Sequence, residues 1–460
     1  MKKLFKDLAV AAMVIFIGSV SAQAETFFAY LTPAQEVPTN ASNATGYARV
    51  KVNESAGTLT FAIVFNNLSS NQTASHIHAP AAIGVNVGVA INFGAVGGTS
   101  GTITGTAPIT PTQLSQIRAH LGYVNLHSAN FPGGEIRGQL GIKRPVDFDG
   151  DGRQDYSVMR FPAVAPPGNA PITFWNLNST TGTQIIGTFG NANTDFPTPG
   201  DFDGDGNDDL ALYRDGTPAS RQSEFFILKT SNFTLQYHAW GTDGDIPVAR
   251  DYDGDGTTDV AIFRRGAAAG APAFWYIRHS LTNTERVAQW GTTGPSVNNW
   301  DVPIPGDYDG DGKFDLAIYR AGTLTPTNTY IIQRSSDGTA VYQKFGDFVS
   351  DYIAPGDYDG DGKFDYAVAR TGATTAAPMV WWILQSSNGQ TRTQTFGISS
   401  DVPAQGDYDG DARTDIAIYR NGATAGSASN FWVLRSFDNT AQVTRWGTRG
   451  DFAVNTFDAR

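Results

Sequence analysis

The strongest constraint on this chain is an aspartate ladder written six times. DFDGDGRQD begins at residue 147, DFDGDGNDD at 201, DYDGDGTTD at 251, DYDGDGKFD at 307 and again at 357, and DYDGDARTD at 407. The starts stand 54, 50, 56, 50 and 50 residues apart, and 54 residues run from the last start to residue 460, so the array holds six whole units. Self-similarity at such a period marks a repeat architecture, in which each unit is one supersecondary element that buries its apolar face only against its neighbours.

Each unit repeats more than its loop. A small residue stands two positions after the last Asp (Ser157, Ala211, Ala261, Ala317, Ala367, Ala417), and an Arg three further on (Arg160, Arg214, Arg264, Arg320, Arg370, Arg420). An aromatic-rich run such as FWNLN or WWILQ follows, then FG or WG, then an Asp (Asp195, Asp245, Asp301, Asp351, Asp401, Asp451). Four strand-like segments fit in each unit. DLAIYR alternates at period two, whereas VWWILQ is apolar on both faces and is expected to lie inside. Four antiparallel strands repeated about every 50 residues describe a propeller blade. An open solenoid needs polar capping units at both ends, and the sequence offers none. GIKRPVD before the first ladder and DFAVNTFD at the end both suit the strand that precedes a loop, so one is expected to complete the other's blade and close the circle. The six arginines are expected to pair with carboxylates and fix sheet against sheet, and the recurring Asp to serve a turn.

The ladder has the donor pattern of a calcium loop. Carboxylates stand at position 1 (Asp147, Asp201, Asp251, Asp307, Asp357, Asp407), position 3 (Asp149, Asp203, Asp253, Asp309, Asp359, Asp409), position 5 (Asp151, Asp205, Asp255, Asp311, Asp361, Asp411) and position 9 (Asp155, Asp209, Asp259, Asp315, Asp365, Asp415). A main-chain carbonyl at position 7 (Arg153, Asn207, Thr257, Lys313, Lys363, Arg413) adds a further hard oxygen. Gly at position 6 permits a positive φ where the loop folds back, and Ala412, in its place in the sixth ladder, is expected to strain that site. Magnesium demands tighter octahedral geometry, so Ca²⁺ at about six sites is favoured. The charge agrees: 24 of the 44 acidic residues belong to the ladders, and the net charge is −12. Loss of residues 1–24 would leave −14, and six Ca²⁺ would bring it to −2, so the acidity is metal demand and argues against nucleic acid as a partner.

These residues resemble the FG-GAP and VCBS repeats of integrin-type β-propellers. The resemblance covers 145–460 and implies calcium-binding loops and extracellular recognition or adhesion, with a protein or glycan as ligand. Integrin propellers generally have seven blades, which keeps seven as the alternative to six.

Residues 25–144 contain no Asp, with four Glu against six Lys plus Arg. TFFAYLT, ARVKVNE, TLTFAIVFNNL and GVAINFG read as strands. TPTQLSQIRAHLG reads as a helix, with Thr110 as cap, Pro111 at the first helical position and Gln113 completing a capping box. In ASHIHAP, His76 and His78 leave one face of a strand while Ile77 turns to the other. NLHSANFPGGEIRGQL places His127, Glu135 and Arg137 on two further strands. Together these segments resemble the CHRD domain first noticed in chordin, over roughly residues 26–140. His76, His78 and His127 are candidate ligands for Cu or Zn, which accept neutral imidazole. The alternative is a hydrogen-bonded polar cluster with Asn125, Glu135 and Arg137.

The expected fold is therefore all-β: a sandwich with one short helix at 25–144 and a propeller at 145–460. Lys2, Lys3 and Lys6, the apolar run Leu8–Val20 and Ala22-Gln23-Ala24 read as a secretory signal peptide over 1–24. The expected location is the cell surface, the extracellular medium or the periplasm, with no membrane span after cleavage. The chain has no cysteine, which excludes disulfides and thiol chemistry. No catalytic constellation is present. A secreted polysaccharide-acting enzyme, resting on Glu224 and Glu285, and a copper redox domain, resting on the three histidines, stand as alternatives to adhesion. Trp300 is a candidate for ligand contact.

Overall fold

The structure, a computed structural model, describes residues 24–141, 146–162, 171–192, 194–217, 222–280, 282–293, 301–320, 328–347 and 351–454. Trp300, residues 1–23 of the leader and 142–145 of the GIKRPV junction lie outside them. Among the described residues no helix is long and apolar enough to cross a membrane.

The front domain contains strands β1 (Ala24–Leu31), β2 (Thr45–Asn53), β3 (Thr58–Asn66), β4 (Gln72–His78), β5 (Val89–Asn92) and β6 (Gly101–Pro108). Helix α1 (Pro111–Arg118) and strands β7 (Tyr123–Ser128) and β8 (Ile136–Gln139) follow. They form two four-stranded antiparallel sheets, β1-β2-β3-β6 and β5-β4-β7-β8. Alternate residues of each sheet, among them Val50, Leu59, Ile63, Ile77, Val124 and Leu126, share one buried core, as expected of a β-sandwich. Helix α1 carries the expected capping box between Thr110 and Gln113, with Leu114 and Ile117 buried. Strand β6, GTITGTAP, gave no strand signal in the sequence. Its Gly105 lies under the Phe61 ring, where a Cβ would come within 2.7 Å of the ring edge, so packing across the sheet selects a residue of low strand propensity.

From Val146 onward the described residues form six four-stranded antiparallel sheets. Five are contiguous in sequence, spanning 195–242, 246–292, 301–344, 351–398 and 402–448. The sixth combines Tyr156–Arg160, Thr173–Leu177 and Gln184–Thr188 with Phe452–Ala453, which pairs antiparallel to Tyr156–Arg160. Phe452 and Ala453 of the DFAVNTFD segment thus complete the sheet that begins the array. The three WG tryptophans each join their sheet to the next: Trp240 Nε1 donates to Tyr276 O, Trp290 Nε1 to Ile331 O and Trp446 Nε1 to Trp175 O, the last linking the end of the array to its beginning.

Burial along a sheet reverses one expectation. Leu316–Tyr319 are buried on both faces, whereas in Pro378–Leu384 burial alternates, with Met379, Trp381 and Ile383 inside and Trp382 exposed. Sheets arranged around a circle diverge outward. The second strand is therefore covered by neighbours on both faces, while the third has one face open to long side chains such as Arg370, which lies over Trp382.

The six arginines each make a two-pronged bond to the recurring Asp: Arg160 to Asp451, Arg214 to Asp195, Arg264 to Asp245, Arg320 to Asp301, Arg370 to Asp351 and Arg420 to Asp401. The same carboxylates accept a main-chain N–H from the end of the preceding unit, at Asn191, Thr242, Thr292, Asp347, Ile398 and Thr448. Each pair therefore holds two strands of one sheet and also fastens that sheet to its predecessor. The turn and the sheet-to-sheet role meet in one carboxylate.

The sandwich sits on the ladder end of this array. Thr26 Oγ1 donates to Asp255 O at 3.0 Å, Gln35 Nε2 to Gly410 O at 3.1 Å, and Arg49 Nη2 to Gly204 O. His120 Nδ1 lies 3.4 Å from Gly360 O. Gly256 has φ +84°, and a Cβ there would come within 2.4 Å of Thr26, so this residue provides both the turn and the room for the front domain.

Candidate metal centres

Each ladder leads into the second strand of its sheet, in five of the six from the first strand, and is wired around its first carboxylate. In the fourth ladder Asp307 accepts from the N–H groups of Gly310 (2.6 Å), Asp311 (3.2 Å) and Gly312 (3.0 Å). The position-6 N–H donates to the first Asp in all six ladders, including Ala412, whose distance to Asp407 Oδ2 is 2.8 Å. Ala412 holds φ +69°, a left-handed conformation that costs a residue with a Cβ about 1–2 kcal/mol. The sixth loop thus keeps its shape at the expense of strain. The last Asp of every ladder accepts from the N–H at position 2. Its other oxygen accepts from Ser179, Thr230, Ser280, Ser335, Ser386 or Ser436.

The loops are also wired to one another in a closed circuit. The position-8 N–H of each ladder donates to the main-chain carbonyl of the first Asp in the ladder before it: Asp208 to Asp147, Thr258 to Asp201, Phe314 to Asp251, Phe364 to Asp307, Thr414 to Asp357, and Gln154 back to Asp407. These six bonds measure 2.6–3.0 Å and return to their starting point. The ladders therefore share one end of the array.

This wiring leaves the carboxylates crowded and, apart from the exposed Asp205, buried or half-buried. Burial, followed by repulsion from Asp259, Asp255 and Asp253, holds Asp251 well above the usual carboxylate range, and Asp307 and Asp415 are raised in the same way. Burial raises Asp155 and Asp365 to about 8, and Asp209, Asp253, Asp315 and Asp409 to about 7. Oxygens of Asp149, Asp203, Asp255 and Asp411 are buried without a hydrogen-bond partner. Ligand atoms of Asp147, Asp149 and Asp155, and of Asp201, Asp203 and Asp209, lie within 4.8 Å of one another. Acceptors that lack donors and repel one another fit a hard divalent cation.

The position-7 side chains cross to a neighbouring ladder. Arg153 Nε donates to Tyr408 O at 2.8 Å, and Asn207, Thr257, Lys363 and Arg413 pack on Gly150, Gly204, Gly310 and Gly360. What such a residue offers its own loop is main chain. The third ladder differs through His279, whose Nδ1 lies 3.0 Å from Asp259 and 3.3 Å from Asp253.

Hydroxyls that the sequence reading missed complete the loops. Ser335 and Ser336 donate to Asp311 and Asp309, Ser386 and Ser387 to Asp361 and Asp359, Ser231 to Asp203 and Ser436 to Asp411, all at 2.6–2.8 Å. Their signal was present as the in-phase runs NST, KTS, RSS, QSS and RSF.

In the sandwich, β4 and β7 are neighbours, with His76 paired to Asn125 and Ala74 to His127. His76 Nδ1 comes 3.1 Å from His127 Nε2, and ligand atoms of His76, His78 and His127 all lie within 4.8 Å of one another. Burial, then the neighbouring imidazoles, lowers His76 to about 4, and burial also lowers His78 and His127. The proposed hydrogen-bond partners sit apart from this trio. Asn125 donates to Glu36, Glu135 accepts from Ser42 and the N–H of Ser69, and Arg137 binds Asn86 and Val85 O while lying 3.4 Å over the Tyr123 ring. The acids of the enzyme alternative are not brought together: Glu224 accepts from Tyr237 on its own sheet, and Glu285 begins the outer strand of the next.

Fold and sites define a two-part all-β protein, a sandwich seated on a repeat array with clustered acidic loops at one end. Residues 27–140 match the CHRD domain family and residues 251–318 the FG-GAP-like repeat family, within the two regions where those resemblances were drawn. The solved structure titled "Crystal structure of AofleA from Arthrobotrys oligospora" is similar over 65% of this chain and 88% of that chain, at 13% identity and a TM-score of 0.35. No curated protein matches the chain.

Proposed function

We propose that this is an extracellular recognition protein in which a six-bladed propeller is held together by calcium at its six ladders, with the sandwich as a fixed cap over that end. The observation that carries this reading is the closed circuit of ladders filled with buried, mutually repelling carboxylates, several of whose oxygens have no donor. Asp oxygens at positions 1, 3, 5 and 9 and the carbonyl at position 7 would hold the ion, which supplies the positive charge that this cluster lacks.

Because the sandwich occupies the ladder end, recognition belongs to the other. There a groove of about 330 Å³ lies between the last and first sheets, lined by Arg160, Trp175, Arg445 and Trp446. Aromatic faces beside guanidinium groups suit a glycan or an acidic protein segment. A glycan and matrix-protein array probed with the full chain tests this. Calcium-dependent binding that Trp446→Ala abolishes supports it. Binding unaffected by chelation, or turnover of a bound glycan, contradicts it, and turnover would favour the enzyme reading.

A further inference from the structure

The geometry points to a second, chemically different metal centre in the sandwich: His76 Nδ1, His78 Nε2 and His127 Nε2 form a three-nitrogen site for one copper or zinc ion. It is independent of the calcium reading, because it lies on β4 and β7 and shares no residue with the ladders.

The tautomers follow from the partners. His78 Nδ1 lies 2.9 Å from Val87 O, and His127 Nδ1 lies 2.9 Å from Pro132 O. A carbonyl only accepts, so each Nδ1 carries the proton and each Nε2 presents a bare lone pair. This is how metal-bound imidazoles are generally oriented, the far nitrogen donating to a backbone carbonyl. His78 is buried, with only 8% of its surface exposed, and its Nε2 has no hydrogen-bond partner. A buried acceptor left bare carries a desolvation penalty that an ion would remove. A His76–His127 hydrogen bond satisfies two rings and leaves the third unexplained, whereas one ion satisfies all three.

The surroundings hold the rings in place. Tyr123 stacks on His78 with centroids 4.7 Å apart and planes 4° from parallel, and Arg137 covers Tyr123. Among the described residues no carboxylate is hydrogen-bonded to the three rings, whose nitrogens meet only one another and the carbonyls of Val87 and Pro132. His76 and His127 are only half-buried, which leaves a path for the ion and room for an exogenous ligand. Three neutral imidazoles without thiolate or carboxylate suit copper or zinc rather than the hard cation of the ladders.

The test uses the calcium-saturated full chain, titrated with Cu²⁺ or Zn²⁺ against a competing chelator. The expected result is one equivalent per chain, with Cu²⁺ displacing Zn²⁺ and its frozen-solution EPR spectrum showing nitrogen hyperfine structure from imidazole. His127→Gln, at the accessible rim, should weaken binding by at least about tenfold, the lower end of what even supporting residues are worth. His238→Gln, in the array, should not. Native chain that retains neither metal against the chelator overturns the proposal, as does metal retained equally by His127→Gln.

Discussion

The ladders and the histidine cluster solve opposite electrostatic problems. Each ladder collects four carboxylates whose charges oppose folding until something positive arrives. The histidine trio collects groups that are neutral at ordinary pH and merely lack a partner. Emptying the two sites should therefore have very different consequences, large for the array and slight for the sandwich.

The largest expected effect is that of chelation on the array. Each site occupied at a hundredfold excess over its Kd contributes about 2.7 kcal/mol. With six sites, removal of calcium should lower the melting temperature by roughly ten degrees or more, given that about 1 kcal/mol moves a domain of 150–250 residues by about 2–4 °C. All nine tryptophans lie between residues 175 and 446, so tryptophan fluorescence reports the array alone. Addition of a copper or zinc chelator should leave that signal in place.

The next effect is a pair of opposite pH responses in metal-free protein. Asp155 and Asp365 are raised to about 8 and Asp209 and Asp315 to about 7, against an unfolded value of about 3.9. Their favourable contribution is full below about pH 4 and is lost as pH rises through about 7–8. His76 is lowered to about 4, against an unfolded value of about 6.5, so its contribution is full above about pH 6.5 and is lost as pH falls through about 4. Acidification from pH 8 to 5 should thus raise the tryptophan-monitored melt while lowering amide-exchange protection in β4 and β7. Parallel responses would break the comparison.

A single carboxylate sharpens it further. Asp315→Asn removes one buried charge and one ligand, so it should destabilise the calcium-loaded array yet stabilise the chelated one, by about 1–2 kcal/mol in each direction. Paired denaturant melts of the two forms would reveal the change of sign. The smallest effect is at Ala412, where Ala412→Gly should stabilise both forms by about 1 kcal/mol by relieving the left-handed backbone.

The two regions also differ in how much the sequence disclosed. The ladders were legible because position, spacing and chemistry repeat six times in phase, and even the strain at Ala412 followed from one missing glycine. The circuit of position-8 N–H bonds was not legible, because main-chain donors at Gln154 or Phe364 leave no trace in side-chain identity. Burial of the second and third strands was read the wrong way round, because LAIYR and VWWIL differ in where the sheets diverge rather than in hydrophobicity. In the sandwich, His76 and His78 were visible as a pair on one strand face. That His127 completes a trio depends on which strand β4 pairs with, a long-range choice, and the bare Nε2 of His78 depends on Val87, eleven residues from the HIH motif's start. Strand β6 was hidden by glycines that make room for Phe61 and Phe65. The seating of the sandwich on the ladders depends on surface shape at Thr26, Gln35 and Arg49, which no pattern encodes.

The most direct measurement is a calcium count on chelated and then reloaded full-length protein, by titration calorimetry with equilibrium dialysis as a check. The account expects about six ions per chain, bound in step with recovery of the tryptophan-monitored melting temperature. Protein that melts unchanged after chelation and takes up no calcium would contradict it.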